Sequence, residues 1–375
     1  MMEYSNLKAR KYQQNYYGVR KQSHVECYFT PAYIFRKQLE EGSQEQKRKA
    51  LHNLELSSAV RRERRVKSAM YGMLVSAGPE KQRSIHDMVN NGNFAALPGK
   101  RIRSEGQPDL PGDDDANKAY EGSGQTFDFY EKEFERTSID DNGMPLISSV
   151  RFDVDLDNAM WNGQYMIYGE GGGGFFKKGR MTDLVVCAHE LTHGVTENES
   201  FLEYFDEMGG LNEGLSDIFG IMCEQWVKKQ KVDDSSWLIG EGALESGQGL
   251  RSMKEPGKGF PGDAQIGHYK DFDPSMDPHV SSGIPNKAFY LTCMEIGGYS
   301  WEKAGKIWYV ALKDHVGQFT KFQDMANFTF TLAGQLFGDD IKKAVQKGWD
   351  AVGIKAKSVT VENFVRSSAT RTQTR

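Results

Sequence analysis

Two histidines four residues apart, with a glutamate following the first, stand in His189-Glu190-Leu191-Thr192-His193. After nineteen intervening residues comes Glu213, in Asn212-Glu213-Gly214-Leu215-Ser216-Asp217. On an α-helix, side chains four apart lie one above the other, so His189 and His193 can converge on a single ion. A hydrolytic zinc centre takes three protein ligands and keeps a fourth position for water, whose pKa falls from about 15.7 to about 7 on binding. Glu190 sits beside such an ion and is placed to take the proton of that water. The third ligand must come from a different segment, and Glu213 is the best candidate. It opens a run to Glu224 in which Leu215, Ile218, Phe219 and Met222 recur at helical spacing, which predicts a second helix carrying the ligand. Asp217, one turn on, suits a carboxylate that accepts the spare imidazole N–H and fixes its tautomer. The plain alternative is a solvated helix with incidental histidines; in a chain with eight histidines the motif rarely arises by chance, and the downstream acids make it rarer.

These side chains need elements to hold them. Asp183 to Asn198 reads as the helix of the motif, and 126–136 as another helix; 144–154 and 160–169 alternate like strands. From Asn286 onward the pattern is helical, over 287–295, 300–312, 321–337 and 339–352, with a frayed basic tail over 367–375. Gly171 to Gly174 reads as a flexible turn rather than a phosphate loop, because no Lys-Ser or Lys-Thr follows. The 375 residues, 38% hydrophobic and 26% charged, suffice for two lobes and a small appendage. Cys27, Cys187, Cys223 and Cys293 show no framework spacing and are expected as free thiols.

Beyond the metal motif, the chain resembles the thermolysin family of metalloendopeptidases. The resemblance rests on Leu156-Asp157-Asn158-Ala159-Met160-Trp161-Asn162-Gly163, Tyr168-Gly169-Glu170-Gly171, Gly209-Gly210-Leu211-Asn212-Glu213, Leu250-Arg251-Ser252-Met253 and Ser282-Gly283-Ile284-Pro285-Asn286-Lys287-Ala288, and covers roughly residues 97–350. It implies an α+β, two-lobed fold, with a β-rich N-terminal lobe, a mostly helical C-terminal lobe and the zinc helix between them. It also implies one catalytic zinc on His189, His193 and Glu213, with Glu190 as general base. Tyr204 and His279 become the donors to the developing oxyanion; without the family context each reads as a structural residue. Asn212 and Asp217 match partners of the two zinc histidines. Arg251 matches the arginine that binds a substrate carbonyl, its alternative being a structural ion pair. Asn158 and the Ala159 backbone match the edge that holds substrate extended. Val186, Ile239 and Leu250 match the walls of an apolar pocket, which implies cleavage before Leu, Ile, Val or Phe with a broad preference. An acid should orient His279, yet Asp277 and Asp273 both stand near it and neither has the usual spacing. Calcium-stabilised relatives carry a carboxylate where Val185 stands, and Ser236 and Leu238 replace two further ligands, so a double site is lost. The resemblance leaves one residual Ca2+ site open around Glu224, Glu241, Asp233 and Asp234.

Residues 1–67 hold fifteen Lys and Arg against seven Asp and Glu, a net of +8, which leaves −13 for the remainder. Cys27 to Phe35 resembles the short propeptide motif of protealysin-like members, with Ala32 in place of one of two prolines. Residues 1–67 are therefore read as a prosegment that blocks the cleft, with Cys27, Pro31, Tyr33 and Ile34 as its inhibitory motif. Cys27 could cap zinc as a thiolate, although a small buried hydrophobe is the commoner fate of a lone cysteine. Residues 68–96 form a connector, and the stretch from Arg61 to Asn93 offers cleavage before Val66, Met70, Leu74 or Ile85. The two lobes are set at 97–205 and 206–366. The expected partners are protein and peptide substrates and the chain's own propeptide; nucleic acid, a membrane span and oligomerisation are not expected. The N-terminus lacks the apolar core of a secretory signal, which predicts synthesis in the cytoplasm and, if the protein is exported, a leaderless route. An aminopeptidase would place its glutamate after eighteen residues and carry a Gly-x-Met-Glu-Asn element, and this chain has neither. A non-catalytic scaffold would need no base and oxyanion donors together.

Overall fold

The computed structural model describes residues 29–56, 78, 80–154 and 156–360. The N-terminal part carries a mixed five-stranded sheet. Its strands are β1 (Arg83–Asp87), β2 (Lys100–Ser104), β3 (Leu146–Val150), β4 (Ala159–Trp161) and β5 (Met166–Tyr168), in the order β2-β1-β3-β5-β4. β1 runs parallel to β3, and β3 parallel to β5, while β2 and β4 pair antiparallel at the two edges. The single strand expected over 160–169 is two strands, because Asn162 accepts from the amides of Gln164 and Tyr165 and folds the chain into a turn. β1 also starts the sheet inside the stretch read as connector. Ile85 lies fully buried at its centre, which removes it as a cleavage position.

Against the sheet lies a long helix, Asp114–Phe134, capped by the Asp113 side chain on the Ala116 amide. The motif helix, Leu184–Ser200, is buried on nearly every side, as its apolar run Leu184 to Ala188 requires. The helix expected from Glu213 begins earlier and runs Asp206–Lys228, so Glu213 lies in its interior rather than at its start. Helices Pro278–Ser281, Gly283–Ile296, Ala304–Val310, Phe322–Phe337 and Asp339–Ala351 complete the C-terminal part, close to the spans expected from periodicity. Among the described residues no helix is long and apolar enough to cross a membrane. Cys187, Cys223 and Cys293 are free and buried.

Glycine at position 220 governs how closely the motif helix and the 206–228 helix approach. A Cβ there would lie 3.2 Å from the Val185 carbonyl oxygen and 3.4 Å from the His189 nitrogen, tight contacts with backbone that cannot rotate away. The branched atoms of Gly220→Val would push the helices apart, at a cost of about 1–3 kcal/mol. Thermal denaturation should show a lower Tm, and elemental analysis of the folded fraction should show reduced bound metal. A variant with unchanged Tm and metal content would contradict the role given to this contact.

Candidate active site

The two helices bring His189, His193 and Glu213 together in full burial. Nε2 of His189 and Nε2 of His193 are 3.1 Å apart; Glu213 reaches the first at 3.4 Å through Oε2 and the second at 3.3 Å through Oε1. The tautomers follow from the partners. Asn212 donates its amide to the Leu202 carbonyl, so its Oδ1 faces His193 Nδ1 at 2.8 Å as an acceptor. His189 Nδ1 lies 3.0 Å from Asp217 Oδ1, and a carboxylate only accepts. Both Nδ1 atoms therefore carry the proton, and both Nε2 lone pairs face each other beside a carboxylate. With both imidazoles neutral, such a set repels itself unless a cation, a metal ion or a proton, lies within it. Tetrahedral zinc, with bonds of about 2.0–2.1 Å, separates its donor atoms by roughly 3.3–3.4 Å, which these three residues match. His189, Glu190 and His193 also form a cluster of metal-binding atoms. Glu213 is nonetheless the better third ligand, since the nearest approach of Glu190 to His189 Nε2 is 4.0 Å and its Oε2 accepts the Trp161 amide at 2.9 Å.

Buried charge is balanced around this cluster. Burial alone would raise the Glu213 carboxyl, but His279 and His193 outweigh it and hold the group well below the usual carboxylate range. Burial pulls His189 down, and its bonds to Asp217 and Glu213 override that to bring it to about 9 without metal. Asp217 is opposed by burial yet pulled down to about 2 by Arg251 and His189. Arg251, itself fully buried, donates to both Asp217 oxygens at 3.1 and 2.7 Å, and Asn286 donates to one at 2.8 Å. Arg251 thus makes the structural ion pair considered for it and has a further donor, Nη1, aimed into the cleft.

Tyr204 donates its hydroxyl to Glu213, and His279 Nε2 lies 3.4 Å from Glu213 Oε2, so both residues border the same carboxylate. Asp277, not Asp273, orients His279. Its Oδ1 is 2.7 Å from Nδ1 and also caps the short helix at the His279 amide, whereas Asp273 is occupied by Ser275 in an exposed turn. Burial lowers His279, but Glu213 and Asp277 together raise it to about 9, which keeps it an imidazolium at neutral pH.

The cleft is filled by the chain itself. Phe29 is fully buried, with its ring 5.5 Å from that of His189, edge to face, and 5.2 Å under the Arg251 guanidinium. It belongs to the same buried cluster as Val186, Ile239 and Leu250, and its ring tip lies 3.5 Å from the position of a Cβ on Gly240. Its amide donates to Ala159 O at 3.3 Å, and its carbonyl accepts from Arg251 Nη1 at 3.0 Å. Thr30 follows, its amide on Asn158 Oδ1 at 2.9 Å and its hydroxyl on Asp157 O at 2.8 Å. The sequence reading missed Phe29. The signal was available, because a bulky aromatic beside the Pro31 motif is what the inferred pocket accepts. Pro31 and Ile34 are buried, and Tyr33 Oη accepts weakly from the Ala264 amide at 3.4 Å. Cys27, the cleavage positions Val66, Met70 and Leu74, and the tail over 367–375 lie outside the described residues.

Two expectations concern the periphery. The glycine turn is pinned, with the Gly173 amide on Asp157 Oδ1 at 2.8 Å, and burial brings Asp157 up to about 6. Three of the four residual calcium candidates have partners within the chain. Glu224 pairs with Lys228 at 3.0 Å, Glu241 accepts from Ser236 at 3.0 Å, and Asp234 turns back on the Lys231 amide. Arg180 instead ties Asp183, at the start of the motif helix, to the Glu241 carbonyl, at 2.7 and 2.9 Å.

Comparison with known proteins agrees with this fold. The thermolysin metallopeptidase catalytic domain matches residues 79–197, and that family's alpha-helical domain matches 200–354. An extracellular metalloprotease of Pectobacterium carotovorum subsp. carotovorum is 38% identical over 88% of this chain and 97% of its own. Protease PrtS of Photorhabdus sp. (strain Az29) is 43% identical over 73% of this chain and 77% of its own. The solved precursor of protealysin, a metalloproteinase from Serratia proteamaculans, superposes with a TM-score of 0.77 at 39% identity, covering 88% of this chain and 99% of that one. The Pectobacterium relative's name overturns the expectation of a cytoplasmic product with a leaderless exit, since a protein alike over nearly the whole chain is extracellular.

Removing the Asp217 carboxylate as Asp217→Ala strands the buried Arg251 charge, and breaking a buried pair in this way costs about 3–5 kcal/mol. Chemical denaturation should report a loss of that order, with zinc stoichiometry falling in the fraction that still folds. A loss below about 1 kcal/mol, as for a surface pair, would show that Asp217 is not the anchor assigned here.

Proposed function

The chain belongs to the thermolysin family of metallopeptidases, and on that footing we propose that it is a zinc-dependent endopeptidase, made as a zymogen, that cuts proteins outside the cell on the amino side of bulky apolar residues. The convergence of two imidazole lone pairs and one carboxylate, with Glu190 beside them, carries this reading. His189, His193 and Glu213 would hold the ion, which when bound lowers the pKa of water and polarises a carbonyl. Glu190, held by the Trp161 amide, accepts the proton of the attacking water and later passes it to the leaving amine. As water adds, negative charge gathers on the former carbonyl oxygen. Tyr204 donates a hydroxyl and His279 an imidazolium N–H toward it, and the Asp277 contact keeps His279 charged and oriented.

The peptide is laid out by the protein's own edge. Asn158 and Ala159 take its backbone, Arg251 its carbonyl, and the cavity walled by Val186, Ile239 and Leu250 its side chain. That cavity is apolar, so one methylene more or less changes the rate by only ~1–3 kcal/mol and the preference is broad. Residues 1–67 act as the removable plug, residues 68–96 include the region cut to release it, and the two lobes divide at about 205 and 206.

Casein and peptides blocked at both ends should be hydrolysed, with activity abolished by a chelator and restored by zinc. Glu190→Gln should retain zinc and lose at least about 100-fold in kcat, while Tyr204→Phe should lower kcat with little change in KM. Hydrolysis confined to peptides with a free amino terminus would overturn the endopeptidase reading. Full activity in Glu190→Gln would overturn the role of the base.

A further inference from the structure

The glycine loop beside the pocket is shaped from outside. Gly171, Gly172, Gly173 and Gly174 offer no side chain to pack, and Gly171, Gly172 and Gly174 take positive φ, so their own sequence favours no single shape. Toward the groove edge the Gly171 amide bonds to the Leu156 carbonyl at 3.3 Å, and the Asp157 carboxylate accepts from Gly173 at 2.8 Å and from Phe175 at 3.4 Å. Beyond the glycines the chain crosses to the other wall. Phe176 bridges Leu244 antiparallel, Glu245 donates to the Phe175 carbonyl at 3.0 Å, and Lys177 donates to the Ala243 carbonyl at 2.9 Å. The Phe176 ring, fully buried, stands 6.3 Å from the ring of Phe29, which fills the pocket. The main chain of Asp157 faces the groove, its carbonyl accepting from the Thr30 hydroxyl and its amide donating to Asn53. One residue thus presents its backbone to the bound segment and its side chain to the loop.

Resting on the metalloendopeptidase reading, we propose that Asp157 is a positioning residue for specificity, whose carboxylate holds the 171–176 loop so that Phe176 stands against the side chain following the cleaved bond. Two aromatic rings at this separation gain beyond the area they bury. A phenylalanine in the pocket reaches Phe176, as Phe29 does, whereas a valine is too short and depends less on where the loop stands. Asp157 therefore acts on the discrimination between large and small side chains rather than on the chemical step, because its bonds go to the loop, to Thr30 and to Asn53. The fit of carboxylate to loop is close. A Cβ on Gly173 would lie 2.4 Å from Asp157 Oδ2 and 2.7 Å from its Cγ, so position 173 tolerates no side chain while the contact stands. Gly173 takes no positive φ, so alanine there is opposed by the carboxylate and not by its own backbone.

Two peptides blocked at both ends and differing only in the residue after the cleaved bond, Phe or Val, test this on the zinc-loaded enzyme freed of its prosegment. Asp157→Ala should lower the Phe-to-Val ratio of kcat/KM about threefold to tenfold, through a higher KM for the Phe peptide, with kcat for the Val peptide within about twofold of wild type. Asp157→Asn keeps an acceptor oxygen for Gly173 and should restore most of the ratio. Gly173→Ala reaches the same contact without altering the groove edge; it should lower the ratio as Asp157→Ala does, and the double variant should fall no further. Amide hydrogen exchange over 171–177 in the full-length zymogen should be faster in Asp157→Ala than in wild type. Should Asp157→Ala fail to fold, Gly173→Ala against wild type still decides the matter. Equal losses for the Phe and Val peptides, or a ratio unchanged in Asp157→Ala and Gly173→Ala, overturn this inference alone. Wild type that cuts neither peptide nor casein overturns the parent reading and this one with it.

Discussion

The Asp217 carboxylate is the interaction on which the rest of the site depends. Four donors on three other elements converge on it: His189 from the motif helix, two groups of Arg251 from the short strand after Leu250, and Asn286 from the 283–296 helix. A buried anion is tolerated only when its oxygens are satisfied and its charge is met. Asp217 meets both conditions by tying His189 on the motif helix to Arg251 on the far side of the cleft. The roles proposed for His189 and Arg251 thus share one anchor, so neither side chain can shift without disturbing the other.

Glu213 shows the same economy at the reacting centre. It faces the imidazoles of His189 and His193, accepts from Tyr204 and lies beside His279, so one carboxylate bears on the charge state of its neighbours. Burial works against ionisation of Glu213 and against protonation of His279, and each makes the other's charged form favourable. The balance fails for either alone, which is why both sit on elements locked by packing.

Spacing revealed the parts of this design that are local. The helix face of His189 and His193 follows from a period of 3.6, and Glu213 and Asp217 follow from one turn on the next helix. Family segments then pointed to Asn158, Arg251, Tyr204 and His279, although their partners depended on folding. Asp277 as the partner of His279 needed the cap geometry of a four-residue helix, which a spacing rule does not encode. β1 was hidden because its neighbours β2 and β3 are distant in sequence, and a five-residue strand beside polar loops leaves little periodicity. The partners of the calcium candidates likewise depended on folding: Lys228 reaches Glu224, the Ser236 hydroxyl Glu241 and the Lys231 amide Asp234.

β4 has a consequence for recognition. The Ala159 carbonyl receives the Phe29 amide and the Trp161 amide holds Glu190, the proposed base, two residues apart on one strand. Extended chain advances about 3.3 Å per residue. The strand therefore acts as a ruler: any polypeptide laid on it in that register presents its backbone to the carboxylate at the same offset, whatever side chains it bears. Composition governs how long a guest stays, while position along the guest is measured by the host's own main chain.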